Sequence, residues 1–194
     1  MIIGITGGMG CGKSAVAGMF ERAGLRRLDS DALLREQVLP QPEVVAQLRR
    51  HFGDGVMTPE GQVDRARLGQ RVFQDDAERE WLEALTHPRL FELWRQALAT
   101  APEGPWAVEV PLLFEKKLEN WFDFTLCVAC APDQQLARLE QRGLPHALAE
   151  QRISKQLPLA RKIELADFVL WNDGSVQFLQ DQVTALIHDL RTVS

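Results

Sequence analysis

The chain has 194 residues, enough for one compact domain with small insertions. Hydrophobic residues make up 45% and charged residues 25%, which matches globular averages and excludes wholesale disorder. The formal net charge of −5 excludes a general nucleic-acid binder, so an anionic ligand must find its positive charge locally.

Three cysteines, Cys11, Cys127 and Cys130, are too few for a disulfide framework and fit a reducing compartment. The opening MIIGITGGMG has no basic segment and reaches glycine within a few residues, unlike a secretory signal. No stretch approaches the roughly 18 apolar residues that span a bilayer. These features predict a cytoplasmic protein with no membrane and no nucleic-acid partner; they leave its oligomeric state open.

Residues 2–6 are β-branched and end in glycines, as a buried parallel strand does. Apolar Val16, Met19 and Phe20 then repeat at helical spacing until Gly24. Residues 25–28 read as a second strand ending at Asp29-Ser30-Asp31, which completes a βαβ unit. From 32 to 101 the pattern is helical, with faces at Val44, Val45 and Leu48, at Leu68, Val72 and Phe73, and at Trp81, Leu82 and Leu85. Strands resume at 106–110 and 124–131, a helix is expected over 133–142, and a last strand at 168–171 precedes a terminal amphipathic helix. The predicted fold is α/β: a three-layer core with a five-stranded parallel sheet, a helical insertion and a helical lid. The predicted domains are a core over 1–31, 102–132 and 164–194, a substrate domain over 32–101, and a lid over 133–163.

Gly7-Gly8-Met9-Gly10-Cys11-Gly12-Lys13-Ser14 satisfies G-x-x-x-x-G-K-[ST] between a strand and a helix. Glycines let backbone N–H groups wrap a phosphate, and the helix turns its positive end toward the same anion. Lys13 is expected to reach the β- and γ-phosphates of ATP, and the Ser14 hydroxyl to ligate Mg²⁺. A plain glycine-rich turn is the bland alternative. No Asn-Lys pair is present to form a guanine-recognition motif, so a small-molecule kinase leads over a switch.

Asp29 and Asp31, two residues apart on a predicted strand end, would share one face. Transfer to an alcohol needs a carboxylate to take the hydroxyl proton and another beside hydrated Mg²⁺; helix capping is the competing role. Between Leu136 and Lys162, basic residues outnumber acidic ones, and Arg138 and Arg142 share a helical face. Arginines on a closing segment would stabilise the transferring phosphoryl, whereas a solvated face is the ordinary alternative. Glu109 is open to a water-mediated Mg²⁺ role, to helix capping or to a surface ion pair. Cys127 and Cys130 have CxxC spacing, but a strand turns them to opposite sides. His87, before Pro88, reads as a residue between helices.

The ordered motifs resemble the dephospho-coenzyme A kinase family. They run from Ile5-Thr6 and the glycine loop through Asp29-Ser30-Asp31, Phe52-Gly53, Asp64-Arg65, His87-Pro88 and Pro111-Leu112-Leu113-Phe114-Glu115. Gln135, Arg138, Arg142, Ala166-Asp167, Asn172 and Gly174 continue the match. The resemblance implies transfer of the ATP γ-phosphoryl to the 3′-hydroxyl of dephospho-CoA. It implies that Gly8, Met9, Gly10, Cys11, Gly12, Lys13, Ser14 and Ala15 hold ATP, with Asn172 near the adenine. It further implies Asp31 as the base, Asp29 as its Mg²⁺-side neighbour, Thr6 lining the site, and Arg65 and His87 in the acceptor region. Cys11, Ala15, Ser30 and Asp173 stand where the family usually has Ser, Thr, Ala and often Asn. Cys11 is expected to set a thiol beside the phosphates. Other small-metabolite kinases, or a nucleotide-dependent binding module, are the remaining alternatives.

Overall fold

The two longest strands, of six residues each, become neighbours at the centre of a sheet. The computed structural model of the chain describes residues 1–193. Strands β1 (Ile2–Gly7), β2 (Arg26–Asp29), β3 (Trp106–Glu109), β4 (Phe124–Ala129) and β5 (Phe168–Trp171) pair in parallel in the order β2-β3-β1-β4-β5. The period-two alternation of β1 sends its side chains to two covered faces. Ile3 and Ile5 join Val16 and Phe20 of α1 (Lys13–Arg22) and Leu179, Val183 and Leu186 of α9 (Val176–Val193). On the opposite face, a Cβ added to Gly4 would stand 2.6 Å from Phe122 and 2.8 Å from Leu113. There α8 (Leu159–Leu165) lies against β1 and β4. Helices on both faces are what an all-parallel sheet needs to bury its apolar strands.

Contacts gather the chain into two units, one formed by Met1–Asp29 with the residues from Glu103 onward, the other by Ser30–Pro102. The first unit holds the sheet, α1, α6 (Pro132–Gln141), α7 (His146–Ser154), α8 and α9. Helix α1 ends in a Schellman turn: Leu25 N–H donates to Phe20 O at 3.1 Å and Gly24 N–H to Glu21 O at 3.0 Å.

The second unit is helical. It runs through α2 (Ser30–Leu33), a π turn (Leu34–Val38), α3 (Pro42–Phe52), α4 (Arg65–Gln74) and α5 (Asp76–Ala99). Asp64 caps α4 by accepting from Ala66 and Arg67 N–H, and Asp75 caps α5 by accepting from Ala77 and Glu78 N–H. The sequence reading puts His87 between helices; instead α5 passes straight through Pro88. Proline forfeits one helical hydrogen bond. Leu85, Leu90 and Trp94 are buried on both sides of it, and their packing carries the helix across.

Candidate active site

The loop joining β1 to α1 has little room for side chains on its inner side. Gly12, the N-cap of α1, has φ +98°, and a Cβ there would stand 2.4 Å from Asn172 Nδ2. A Cβ on Gly8 would stand 2.3 Å from Gln135 Nε2. Conformation and space both favour glycine at Gly12, and space alone favours it at Gly8. Because α1 starts at Lys13, its positive end opens onto this loop. Lys13 Nζ donates to Gly7 O at 3.2 Å and to Gly8 O at 3.0 Å, which folds the ammonium back over the loop. Ser14 and Ala15 are exposed at the helix start.

Two side chains from distant segments latch the loop. Gln135 Nε2 donates to Met9 O at 2.9 Å, and Asn172 Nδ2 donates to Cys11 O at 2.8 Å. Asn172 is fixed in turn, its N–H donating to Ala129 O at 2.8 Å. Arg138 Nη2 donates to Asn172 O at 2.7 Å and to Gln134 Oε1 at 2.8 Å. The other terminal nitrogen, Arg138 Nη1, is buried with no hydrogen-bond partner. An unmet buried donor costs about 1–3 kcal/mol, more when charged, and an anionic oxygen is the partner that relieves it. A glycine cradle, a helix N-terminus, a lysine and this guanidinium together fit a polyphosphate.

The acidic pair is not arranged as the strand reading expects. Asp29 is the last residue of β2, but the chain turns helical at Ser30, so Asp31 lies in the first turn of α2 and is exposed. Sharing a strand face therefore does not apply to Asp31. Glu109 stands opposite Asp29 in the β2–β3 register. It is buried and paired with Arg27, whose Nε and Nη2 lie 2.8 and 2.5 Å from Glu109 Oε1. Arg27 Nη2 also lies 3.7 Å from Asp29 Oδ2. Glu109 thus makes a buried ion pair rather than a surface one, and no motif signals its partner Arg27, which also lies near Asp29.

Thr6, wholly buried on the other sheet face, donates its hydroxyl to Pro111 O at 3.2 Å. Lys162 donates to the same carbonyl at 3.0 Å and lies 2.8 Å from Glu115 Oε1. Lys162 falls within the predicted lid over 133–163, but none of its side chain is exposed.

Arg142, at the C-cap of α6, is exposed. In the helical unit, Arg65 heads α4 and shares with Arg35, Arg49, Leu39 and Val45 the lining of a cavity of about 740 Å³. His87 lies within α5, its ring 5.5 Å from that of Phe91.

The cysteines depart from expectation. The Cys11 side chain points under the loop, fully buried, with its Sγ 3.4 Å from Cys130 Sγ. Cys127 and Cys130 do face different surroundings: Cys130 joins the α1–α9 core, whereas Cys127 senses the Lys162 charge. Burial pushes the Cys127 thiol up to about 12. Among the described residues, no cluster of three or more His, Cys, Asp or Glu is placed to hold a metal ion.

Residues 1–177 match the model of the dephospho-CoA kinase family. A protein from Thermosynechococcus vestitus named dephospho-CoA kinase is 45% identical over 183 residues, covering 93% of this chain and 90% of its own length. A solved structure from Thermus thermophilus is 34% identical with a TM-score of 0.85, covering 98% of this chain and 97% of its own. The solved dephospho-CoA kinase from Campylobacter jejuni, 23% identical over 97% of this chain and 96% of its own, has the same fold, with a TM-score of 0.71.

Proposed function

The chain belongs to the dephospho-CoA kinase family, and we propose that its glycine loop holds ATP while Asp31 activates the 3′-hydroxyl of dephospho-CoA. The reaction yields coenzyme A and ADP, the last step of coenzyme A synthesis. The unpaired, buried Arg138 Nη1 beside the latched glycine loop carries this reading most directly, since an anionic oxygen satisfies it.

In this proposal the backbone of Gly8, Met9, Gly10, Cys11, Gly12, Lys13, Ser14 and Ala15 wraps the β- and γ-phosphates. Lys13 leaves the Gly7 and Gly8 carbonyls and neutralises the transferring group. Asn172, held from both its backbone and its side chain, borders the adenine. Mg²⁺ would be held by the exposed Ser14 hydroxyl and by Asp29, and when bound it would neutralise phosphate charge.

Dephospho-CoA carries a diphosphate on a long, weakly polar arm. The cavity of the helical unit matches both halves, with Arg35, Arg49 and Arg65 over Leu39 and Val45. Arg65 and His87 complete the acceptor contacts, while Thr6, buried and bonded to Pro111 O, lines the site from within the sheet. Asp31 accepts the ribose hydroxyl proton as the oxygen attacks the γ-phosphorus, and Arg138 and Arg142 stabilise the phosphoryl charge. Residues 133–163 act as the lid and 32–101 as the acceptor domain, with the rest forming the nucleotide core. Both partners are small molecules, and nucleic acid is not among them. Among the described residues, no helix is long and apolar enough to cross a membrane.

The discriminating assay measures ADP release with dephospho-CoA, with AMP and with no acceptor. ADP formed only with dephospho-CoA supports the reading; equal release with AMP identifies a nucleotide kinase, and no dependence on any acceptor overturns the transferase.

A further inference from the structure

Gly7 and Val128 are partners in the β1–β4 register, so the loop leaving β1 and the segment leaving β4 emerge side by side. This brings together Cys11 and Cys130, 119 residues apart, with their sulfurs 3.4 Å from each other. Both are buried, and no third cysteine is in their cluster. A disulfide has an S–S bond of about 2.05 Å, so closure needs a shift of little more than about 1 Å. We propose that Cys11 and Cys130 form a reversible disulfide that locks the glycine loop in a form unable to hold a polyphosphate, with a hydroperoxide as the oxidant.

The roles of the two thiols differ. Cys130 donates its S–H to Cys11. That hydrogen bond, with the nearby Lys13 ammonium, favours the anion at Cys11 and lowers its pKa against the opposing effect of burial. The hydrogen bond to Cys11, then burial and the negative charge at Cys11, hold the proton on Cys130, a bias that Arg138 weakens and Asp173 strengthens. Cys11 is therefore the attacking sulfur. Its thiolate displaces one peroxide oxygen, the O–O bond breaks, and Cys11 becomes a sulfenic acid as hydroxide (or alkoxide) leaves and takes up a proton. The Cys130 sulfur then attacks the Cys11 sulfur; the S–O bond breaks and the hydroxyl departs with the Cys130 proton as water. Two electrons pass from the thiol pair to the peroxide.

The loop has no slack to absorb this closure. A Cβ on Gly8 would already stand 2.8 Å from Cys11 Sγ, and Cys11 O is held by Asn172. Drawing Cys11 toward β4 shifts the backbone N–H groups that form the cradle. Because both sulfurs are shielded, peroxide reaches them as the loop opens, and bound nucleotide slows the reaction.

The lock's effect rests on the nucleotide reading of the loop, whereas the bond itself is read by mass alone. The test exposes the whole protein to hydrogen peroxide with and without MgATP, then maps thiols by mass spectrometry and measures nucleotide binding. The expected results are a loss of about 2 Da, a Cys11–Cys130 crosslinked peptide with Cys127 still reduced, and nucleotide affinity down by about tenfold or more. Dithiothreitol should restore binding, and MgATP should slow crosslinking. Cys130→Ser, or Cys130→Ala if the first variant is unstable, should keep basal activity and lose the reversible inactivation. Failure to find the crosslink in the inactivated parent, or equally reversible inactivation of both Cys130 variants, overturns the proposal. A crosslinked protein with unchanged nucleotide affinity overturns the lock while leaving the bond; crosslinking with impaired binding but no dephospho-CoA kinase activity in the reduced parent removes only the functional reading.

Discussion

The Lys162 ammonium, with none of its side chain exposed, lies 2.8 Å from Glu115 Oε1, and the same oxygen accepts Leu157 N–H at 3.0 Å. Lys162 also donates to Pro111 O, the carbonyl that accepts the Thr6 hydroxyl. One buried charge pair thus ties α8 to the segment after β3 and to central strand β1. Removing one member of such a pair leaves the other charged and without its partner, at a cost of about 3–5 kcal/mol. Lys162→Met should lower the unfolding free energy by that order in urea titration. The double variant Lys162→Met with Glu115→Leu should recover a substantial part of the loss. A single variant as stable as the parent would contradict the buried pair.

Asn172 is expected to act on nucleotide affinity through the loop it latches. Its side-chain amide donates to Cys11 O and its backbone carbonyl accepts from Arg138. Asn172→Ala removes the first bond and leaves the second, so the loop loses one restraint worth about 1 kcal/mol. The KM for ATP should rise by about fivefold to tenfold with kcat changed less. Steady-state kinetics with saturating acceptor would check this, and a purely kcat effect would count against the latch.

Asp31 offers a sharper separation of binding from chemistry. It is exposed in the first turn of α2, and Asn keeps its shape while removing its basicity. General-base catalysis contributes about 10²–10⁴ in rate, so Asp31→Asn should lose that much kcat while calorimetry still detects ATP binding. Near-parent turnover would remove Asp31 as the base.

Features set by neighbouring residues were legible in the sequence; those set by distant pairing were not. The glycine loop could be read because strand, turn and helix follow one another and each carries its own local signal. The five parallel strands were legible for the same reason, being apolar runs bounded by turns. Asp31 was misplaced because the shift from strand to helix falls between Asp29 and Ser30, where two residues of spacing exchange one geometry for another. Lys162 looked like one more lid cation since its partner, Glu115, comes from another segment. Arg27 and Glu109 meet only across the β2–β3 pairing, and Cys11 and Cys130 only through the β1–β4 register. Spacing along the chain encodes none of these contacts.

The stretch joining α6 to α7 carries a pH-sensitive pair. His146 Nδ1 lies 2.5 Å from Glu140 Oε1, and Nε2 lies 3.6 Å from Glu150 Oε1. The hydrogen bond to Glu140 raises the histidine above its ordinary range; desolvation opposes it, and the charges of both glutamates add to the rise. A raised folded-state value means the pair contributes fully below the unfolded value of about 6.5 and is lost as pH rises through the folded value. The His146 ring protons should therefore titrate by NMR with a midpoint above that of a free histidine. Glu140→Gln should move the midpoint down, and an unchanged midpoint would refute the pairing.

Arg138 and Arg142, grouped by their helical spacing, should separate in experiment. Arg138 is half-buried and donates to Asn172 O and Gln134 Oε1, so it braces the loop before any substrate arrives. Arg142 ends α6 in solvent. Truncating Arg138 removes both the brace and the phosphate donor: Arg138→Ala should lower thermal stability, raise the KM for ATP and reduce kcat. Truncating Arg142 removes a solvent-facing side chain, and in the proposed reaction its charge counts only when the phosphoryl is in transit. Arginines that stabilise such charge are worth about 10³–10⁵ in rate when fully engaged. Arg142→Ala should reduce kcat by about tenfold to a thousandfold with melting temperature and ATP affinity unchanged. Paired melting curves and steady-state kinetics of the two variants decide the matter. Equal losses of stability in both would mean that Arg142 is structural, and an Arg142 variant with parental kcat would remove it from the proposed phosphoryl contacts.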